Sequence, residues 1–242
     1  EASLTPEEPQ ALVSDRSGIP TKIAKVEALA ARRQSGLFVV LEDTSLQYNA
    51  GAAIRSCDAF GVTEVWLVHN GLRKGTSLRP EIERQHAFNV DSKSMSISSA
   101  SANRWVSTRT FFSSQHAMQT LQREGVVSVA VTSDDVAPDI SSTPLLQPKV
   151  ALWLGNEDVG LSEIAKDMSD MQVRVGTKGV VGRLNLSVET AVCLAEVSRQ
   201  REAARQGTDH AYTLSTREKE ELIRQLSLYK RSPRKVAPLE IE

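Results

Sequence analysis

The sequence predicts an α/β domain with a mostly parallel sheet flanked by helices. Three observations carry that expectation. Short apolar runs recur at Leu37–Leu41, Val65–Val68, Val126–Val131, Val150–Leu154 and Met171–Val175. They have strand length and lack polar alternation, as strands covered on both faces do. Helix-like stretches separate them, and the first strand, helix and second strand fit into about thirty residues, the span of a βαβ unit.

Taken in order, residues 1–18 are polar with two prolines and are expected to form a flexible arm. Lys22 to Gln34 reads as an amphipathic helix, with Ile23, Val26 and Ala30 on one face and Lys22, Lys25, Arg32 and Arg33 elsewhere. After the run at Leu37–Leu41, Asn49 can cap a helix from Ala50 to Phe60, and Gly61 ends it. The signal weakens beyond Arg73. Pro80 to Phe88 reads as a short helix, and Ser92 to Ser101, with six serines in ten residues, as a mobile loop. Trp105 to Phe111 reads as a strand, Gln115 to Arg123 as a helix, and Ser162 to Met168 as a short helix. A long helix follows Arg183, apolar at Val188, Ala191, Val192, Cys193, Leu194, Ala195 and Val197, with Glu189 and Glu196 as its polar stripe. A helix this apolar is usually covered on two sides, by its own sheet and by a second subunit. Ser215 and Glu218 form a capping box before a stripe of Leu222, Ile223, Leu226 and Tyr229. Lys230 to Lys235 then carries four cations and no acid.

Composition narrows the function. The chain has 242 residues, enough for one large domain or two small ones. Its 29 Lys and Arg nearly cancel 30 Asp and Glu, so an RNA-binding role must rest on local clusters. No apolar run approaches the roughly 20 residues that span a membrane. Cys57 and Cys193 fall in helices and read as buried reduced thiols, and no Cys/His spacing suggests zinc.

Chemistry is expected on three loops after strand ends: Asp43 to Asn49, Gly155 to Gly160 and Gly176 to Asn185. In open α/β sheets that edge binds ligands. Dinucleotide and Walker fingerprints are missing. Ala50-Gly-Ala-Ala53 leaves its helical turn bare, so its N–H groups can meet an anion that Arg55 also grips; the rival reading has small residues for packing and Arg55 paired with Asp58. Asn156 and Glu157 sit in a glycine-bounded turn, as a polar pair for chemistry or as turn and cap residues. Asn185 or Ser187 enters the long helix, as a site residue or as its N-cap.

Together these stretches resemble the TrmH-type (SpoU) RNA ribose 2′-O-methyltransferases of the SPOUT superfamily. The first, Asn49-Ala-Gly-Ala-Ala-Ile-Arg55-Ser-Cys-Asp-Ala-Phe-Gly61, is similar to the family's N-x5-R-T/S-C-D-A-F-G. The second is Leu154-Gly-Asn-Glu157-x-x-Gly160-Leu-Ser162. The third, Val175 to Ser187, aligns without gaps on I-P-x-x-G-x-x-x-S-L-N-x-S, with Gly176 for the proline and Arg183 for the serine. Ser101-Ala-Asn-Arg-Trp105 is similar to a further short family segment.

The resemblance implies a deep C-terminal trefoil knot, which no periodicity argument could suggest because knots are very rare. It implies a homodimer through the knot region and S-adenosylmethionine as the methyl donor, with no metal. The donor pocket would be built by Thr132, Leu154, Gly155, Asn156, Val175, Gly179, Leu184 and Asn185. Arg55 matches the residue that acts on the ribose 2′-OH, and Asn49, Glu157, Asn185 and Ser187 match the surrounding catalytic polar set. RNA contacts are expected from Lys22, Lys25, Arg32, Arg33, Arg183, Lys230, Arg231, Arg234 and Lys235. The implied organisation is an arm over 1–18, a basic helix over 19–35, the methyltransferase domain over 36–206, and a helix with a basic tail over 207–242. The implied substrate is tRNA, at a D-loop guanosine, in a cytoplasmic setting with no membrane partner. The alternatives are large-subunit rRNA, whose enzymes usually carry a separate N-terminal domain where only about 35 residues stand here, or a non-catalytic RNA-binding relative.

Overall fold

The computed structural model describes residues 22–44, 46–70, 93–205 and 212–228. The chain falls into two compact units, one over 33–213 and one drawn from 1–32 and 214–242.

The larger unit is a six-stranded sheet: β1 (Leu37–Glu42), β2 (Glu64–Val68), β3 (Ser107–Phe111), β4 (Val127–Val131), β5 (Val150–Leu154) and β6 (Met171–Val173). The order is β3-β2-β1-β5-β4-β6, and every pairing is parallel. The apolar runs lie centrally, with Leu37 to Leu41 in register with Val150 to Leu154. Side chains alternate between faces. Leu37, Val39 and Leu41 enter one buried cluster, and Val40, with Trp66, Ala151 and Trp153, enters the other. Helices α2 (Gln47–Ala59) and α6 (Leu186–Ala204) cover the first face. Helices α4 (Ser114–Arg123) and α5 (Glu163–Met168) cover the second. Both strand predictions that ran long are trimmed, β3 starting at Ser107 and β6 stopping at Val173.

Helix α2 corrects the expected start. It begins at Gln47, after Leu46 in extended geometry with no side-chain cap. Asn49 is therefore inside the first turn, and its side chain is free for other work. Ala50 to Ala53 is not an exposed opening turn: Ala50, Gly51 and Ala53 are buried, so the anion-site reading fails. Gly51 is small because another helix presses on it; a Cβ there would come within 1.8 Å of Ser98 Oγ. The far end follows the sequence reading. Gly61 takes φ 75°, Val62 N–H donates to Cys57 O (2.9 Å) and Gly61 N–H to Asp58 O (3.1 Å), a Schellman closure.

The helix pressing on Gly51 is α3 (Lys93–Ser98), which replaces the predicted mobile loop over Ser92–Ser101. Its serines bond back into structure. Ser98 Oγ donates to Ser94 O (3.0 Å), Ser94 Oγ donates to Gln47 Oε1 (2.6 Å), and Met95 is fully buried. The short helix expected at Pro80 to Phe88 lies outside the described residues.

Arg33 departs from the expected RNA contact. It is 2% exposed. Its guanidinium donates to Asp58 Oδ1 (2.6 Å), Asp58 O (3.0 Å) and Trp105 O (2.7 Å). It therefore takes the partner that the sequence offered to Arg55.

In the smaller unit, α1 (Lys22–Arg32) packs on α7 (Thr216–Leu228). Ala24, Val26 and Ala30 of α1 and Leu222 and Leu226 of α7 are buried, while Ile23 is 59% exposed, against its predicted place on the apolar face. The capping box is present: Ser215 N–H donates to Glu218 Oε2 (2.7 Å) and Glu218 N–H to Ser215 Oγ (3.3 Å). Lys25 and Arg32 are exposed. Tyr229, Lys230, Arg231, Arg234, Lys235 and the Lys22 side chain lie outside the described residues.

Candidate active site

The loops after β1, β4, β5 and β6 meet at the C-terminal edge of the sheet, where strand-end carbonyls and helix starts face a ligand. A buried carboxylate ties the loop after β5 to the ends of β1, β2 and β3. Glu42, at the end of β1, accepts from Ser162 N–H (2.7 Å), Ser162 Oγ (2.8 Å) and Asn70 Nδ2 (3.3 Å), and also from Ser114 Oγ. Ser162 is the N-cap of α5, its Oγ accepting from Ala165 N–H at 3.1 Å. The loop after β5 thus ends at a fixed point.

That loop is closed on itself. Asn156 and Gly160 exchange backbone bonds of 3.1 and 2.8 Å. Asn156 Oδ1 accepts from the N–H groups of Asp158 (2.8 Å) and Val159 (3.1 Å), and its Nδ2 donates to Asp43 O (2.7 Å). Asn156 shapes the turn and also ties it to the loop after β1. Gly155 has no room for a side chain, since a Cβ would lie 2.2 Å from Gly160 C. We expect Gly155→Ala to displace this loop at a cost of about 1–3 kcal/mol and to weaken binding of the loop's ligand at least tenfold. Calorimetry on a folded variant checks this, and unchanged affinity would remove the loop from the binding site.

The sequence-predicted polar residues form one connected chain. Asn49 Nδ2 donates to Glu157 Oε1 (2.5 Å), and Asn185 Nδ2 donates to Asn49 Oδ1 (3.2 Å). Asn185 Oδ1 caps α6, accepting from Ser187 N–H (3.0 Å) and Ser187 Oγ (2.7 Å). Asn49, Glu157, Asn185 and Ser187 come from three separate motifs. Asn185 is both cap and link.

Arg55 stands apart from this chain. It lies six residues beyond Asn49, about 9 Å of helix rise. It is exposed, with no hydrogen bond or ion pair to any described residue.

Beside the chain is a cavity lined by Thr132, Gly155, Asn156 and Leu184 from the predicted donor set. Leu154 is buried behind it in β5. Val175 lines a neighbouring depression with Arg174 and Thr177, and Gly179 has open space around it, so neither reaches the cavity wall. The same wall includes Ser133, Lys166, Arg183 and Glu189, which the sequence reading did not place there. Free space in the cavity is about 40 Å³, far below the several hundred of an ordinary small-molecule pocket. Arg183 takes the room. Its Nε donates to Ser133 Oγ (3.0 Å), and its guanidinium lies on Gly160, where a Cβ would come within 2.7 Å of both terminal nitrogens. Arg183 therefore faces into the cavity rather than outward as an RNA contact.

Glu189 was expected on a polar stripe. It instead meets the cavity, and burial raises its carboxyl to about 7 against the pull of the Arg183 charge. The signal was available: a carboxylate in the apolar first half of the helix, six residues after Arg183 of the third motif. Burial also raises the Cys57 and Cys193 thiols, which are unreactive and unpaired. Among the described residues no cluster of His, Cys, Asp and Glu could hold a metal. No described helix is long and apolar enough to cross a membrane.

Comparison with known proteins completes the picture. The family model described as the SpoU rRNA Methylase family matches residues 36–195. The chain is 31% identical over 185 residues to the tRNA (guanosine(18)-2'-O)-methyltransferase of Escherichia coli (strain K12), covering 76% of this chain and 72% of that protein. It is 29% identical over 205 residues to the 23S rRNA (guanosine-2'-O-)-methyltransferase of Coxiella burnetii, covering 83% and 74%. Its fold is similar to that of the A. aeolicus TrmH/SpoU tRNA modifying enzyme, with a TM-score of 0.69 at 21% identity, over 86% of this chain and 98% of that one.

Proposed function

The chain belongs to the SpoU rRNA Methylase family, and on that premise we propose that it transfers a methyl group from S-adenosylmethionine to a ribose 2′-OH of tRNA, at a D-loop guanosine. The observation that carries the reading is the hydrogen-bonded chain Glu157–Asn49–Asn185–Ser187, which joins three motif loops around one cavity. The relative from Escherichia coli supports tRNA as the substrate. The relative from Coxiella burnetii supports rRNA as the second reading.

The cavity wall suits the donor. Thr132, Gly155, Asn156 and Leu184 offer mostly backbone groups and little bulk, and Glu189 offers a carboxylate to a cationic ligand. S-adenosylmethionine supplies an electrophilic methyl on a sulfonium, and displacement needs the ribose oxygen held in line with it. Asn49, Glu157, Asn185 and Ser187 hold the loops that set that alignment. Arg55 grips an RNA phosphate and stabilises the oxyanion as it develops; a guanidinium that keeps its proton does this better than it acts as a base. Leu154, Val175 and Gly179 complete the donor loops, threaded as a trefoil knot.

We assign 36–206 to the methyltransferase domain, which the compact unit over 33–213 supports. The flanking segments 19–35 and 207–242 contact RNA through Lys22, Lys25, Arg32, Lys230, Arg231, Arg234 and Lys235, and 1–18 is a flexible arm. The enzyme works as a homodimer. Val188 (49% exposed) and Val192 (38%) on α6, and Leu46 and Tyr48 at the start of α2, are large apolar side chains exposed among the described residues, and we assign them to contact with a second copy. Two buried unpaired thiols suit the reducing cytoplasm.

The test is methylation of tRNA and 23S rRNA transcripts with labelled S-adenosylmethionine, followed by mapping of the 2′-O-methyl nucleotide. Label on a D-loop guanosine sustains the reading. Label on rRNA alone selects the second reading, and no label on either rejects both. Affinity for tRNA is also expected to fall about a hundredfold between 50 and 200 mM salt if about four phosphates are contacted. A flat salt profile in filter binding would remove the basic segments from the interface.

A further inference from the structure

We propose that Glu189 recognises the cationic methionyl end of the methyl donor, and that Arg183 is the cation it exchanges for that end. The inference rests on the donor reading above. It starts from two charged groups that are each left incomplete. The Arg183 guanidinium fills the cavity over Gly160, yet its Nη1 is buried without a partner. Its one side-chain hydrogen bond among the described residues, to Ser133 Oγ, is made through Nε. Glu189 shares the same cavity wall and feels the Arg183 charge. Its carboxylate makes no hydrogen bond or ion pair with any described residue.

A half-buried carboxylate without a partner is unfavourable, and so is a buried N–H without an acceptor. Both persist where a ligand resolves them. S-adenosylmethionine carries positive charge on its sulfonium and its ammonium. Placed against Glu189, that charge does what Arg183 does at a distance, and at hydrogen-bonding range. Arg183 then leaves for the mouth of the cavity, where RNA phosphate binds. The arginine that departs from the family's serine thus has a role of its own: it neutralises the site, and the donor displaces it. Arg183, Lys166 and Glu157 line the cavity with Glu189, and Cys193 lies one turn further along the same helix; Glu157 already accepts from Asn49 Nδ2, so Glu189 is the carboxylate offered to an incoming cation beside Arg183.

The experiment is titration calorimetry of wild type, Glu189→Gln and Arg183→Ala with three probes. These are S-adenosylmethionine, S-adenosylhomocysteine and 5′-methylthioadenosine. The Gln variant is expected to bind S-adenosylmethionine about tenfold more weakly and 5′-methylthioadenosine as wild type does. Loss with S-adenosylhomocysteine as well puts the contact on the ammonium; loss without it puts the contact on the sulfonium, and either sustains the proposal. The Arg183→Ala variant is expected to bind S-adenosylmethionine several-fold more tightly, since nothing must be displaced. Equal loss for all three probes, or no loss for any, overturns the proposal. If the Gln variant does not fold, unchanged or weaker binding by Arg183→Ala overturns it instead. A wild type that binds none of the probes rejects the donor reading itself, a separate outcome.

Thermal melting gives a second readout. Burial lifts the Glu189 carboxyl from 4.5 to about 7, so the folded state favours the protonated form. That stability is complete below the unfolded value and is lost as pH rises toward 7. Glu189→Gln is therefore expected to melt higher than wild type at pH 8 and alike at pH 4.5, while binding the donor less well. A lower melting temperature at pH 8 would contradict the placement of Glu189.

Discussion

Arg55→Ala is expected to abolish methyl transfer, lowering the single-turnover rate by about a thousandfold, the scale of losing one preorganised donor at a developing oxyanion. Donor affinity stays within about twofold and the melting temperature within a degree or two, as for a surface substitution of about 0.5 kcal/mol or less. The selectivity of this outcome follows from where the side chain stands. Arg55 is exposed on α2 and has no hydrogen bond or ion pair to any described residue, so none of the described contacts depends on it. It is held instead by a helix fixed along its length, through Asn49 at one end and the Gly61 closure at the other. Arg55→Lys keeps the charge but loses the fork of donors that matches a phosphate, and recovers a small part of the rate. Near-normal turnover by the alanine variant, measured with a tRNA transcript and saturating S-adenosylmethionine, would remove Arg55 from the chemistry.

The second large effect is on stability. Arg33→Ala is expected to cost about 3–5 kcal/mol, because it strips the partner from a buried ion pair. The 1% exposed Arg33 side chain serves the Asp58 carboxylate, the Asp58 carbonyl and the Trp105 carbonyl together. It therefore clamps the end of α2 to the turn before β3. Its own Nε is buried without a partner, which takes back part of the gain. For a domain of this size the loss lowers the melting temperature by about ten degrees. Below the melt, tRNA affinity should match wild type, which separates this residue from the cations expected at the RNA surface. A melt unchanged in denaturant titration would mean that the clamp is not made.

Three arginines that looked alike in sequence thus have three fates. Arg55 has no partner among the described residues, Arg33 is part of the core, and Arg183 fills the cavity. Sequence could not separate them, because each fate depends on a distant residue. Asp58 is 25 positions from Arg33, and Gly160 is 23 from Arg183. What was legible was local. The apolar runs at Leu37 and Val150 identify central strands, Gly61 closes its helix, and Asn185 and Ser215 start theirs. The motifs also pointed to residues that meet in space, since Asn49, Glu157, Asn185 and Ser187 join in one hydrogen-bonded chain. Helix α3 was hidden by serine, whose hydroxyl ordinarily competes with helix; here Ser98 bonds the preceding turn and Met95 supplies the buried anchor. The start of α2 was hidden because Leu46 carries no capping group. Glu189 was taken for a solvent-facing charge because helical spacing alone does not reveal a cavity.

The pairing of Leu37 with Val150 has a consequence for synthesis. As the polypeptide leaves the ribosome, β1 can pair with β2 at once, but its other edge waits for more than a hundred further residues. Contacts that distant form slowly, after a long loop has closed. Glu42 likewise cannot meet Ser162 until then. The nascent half therefore carries a sticky open edge at Leu37 to Leu41 until the second half arrives, and the loops around the cavity are among the last parts of the molecule to take shape.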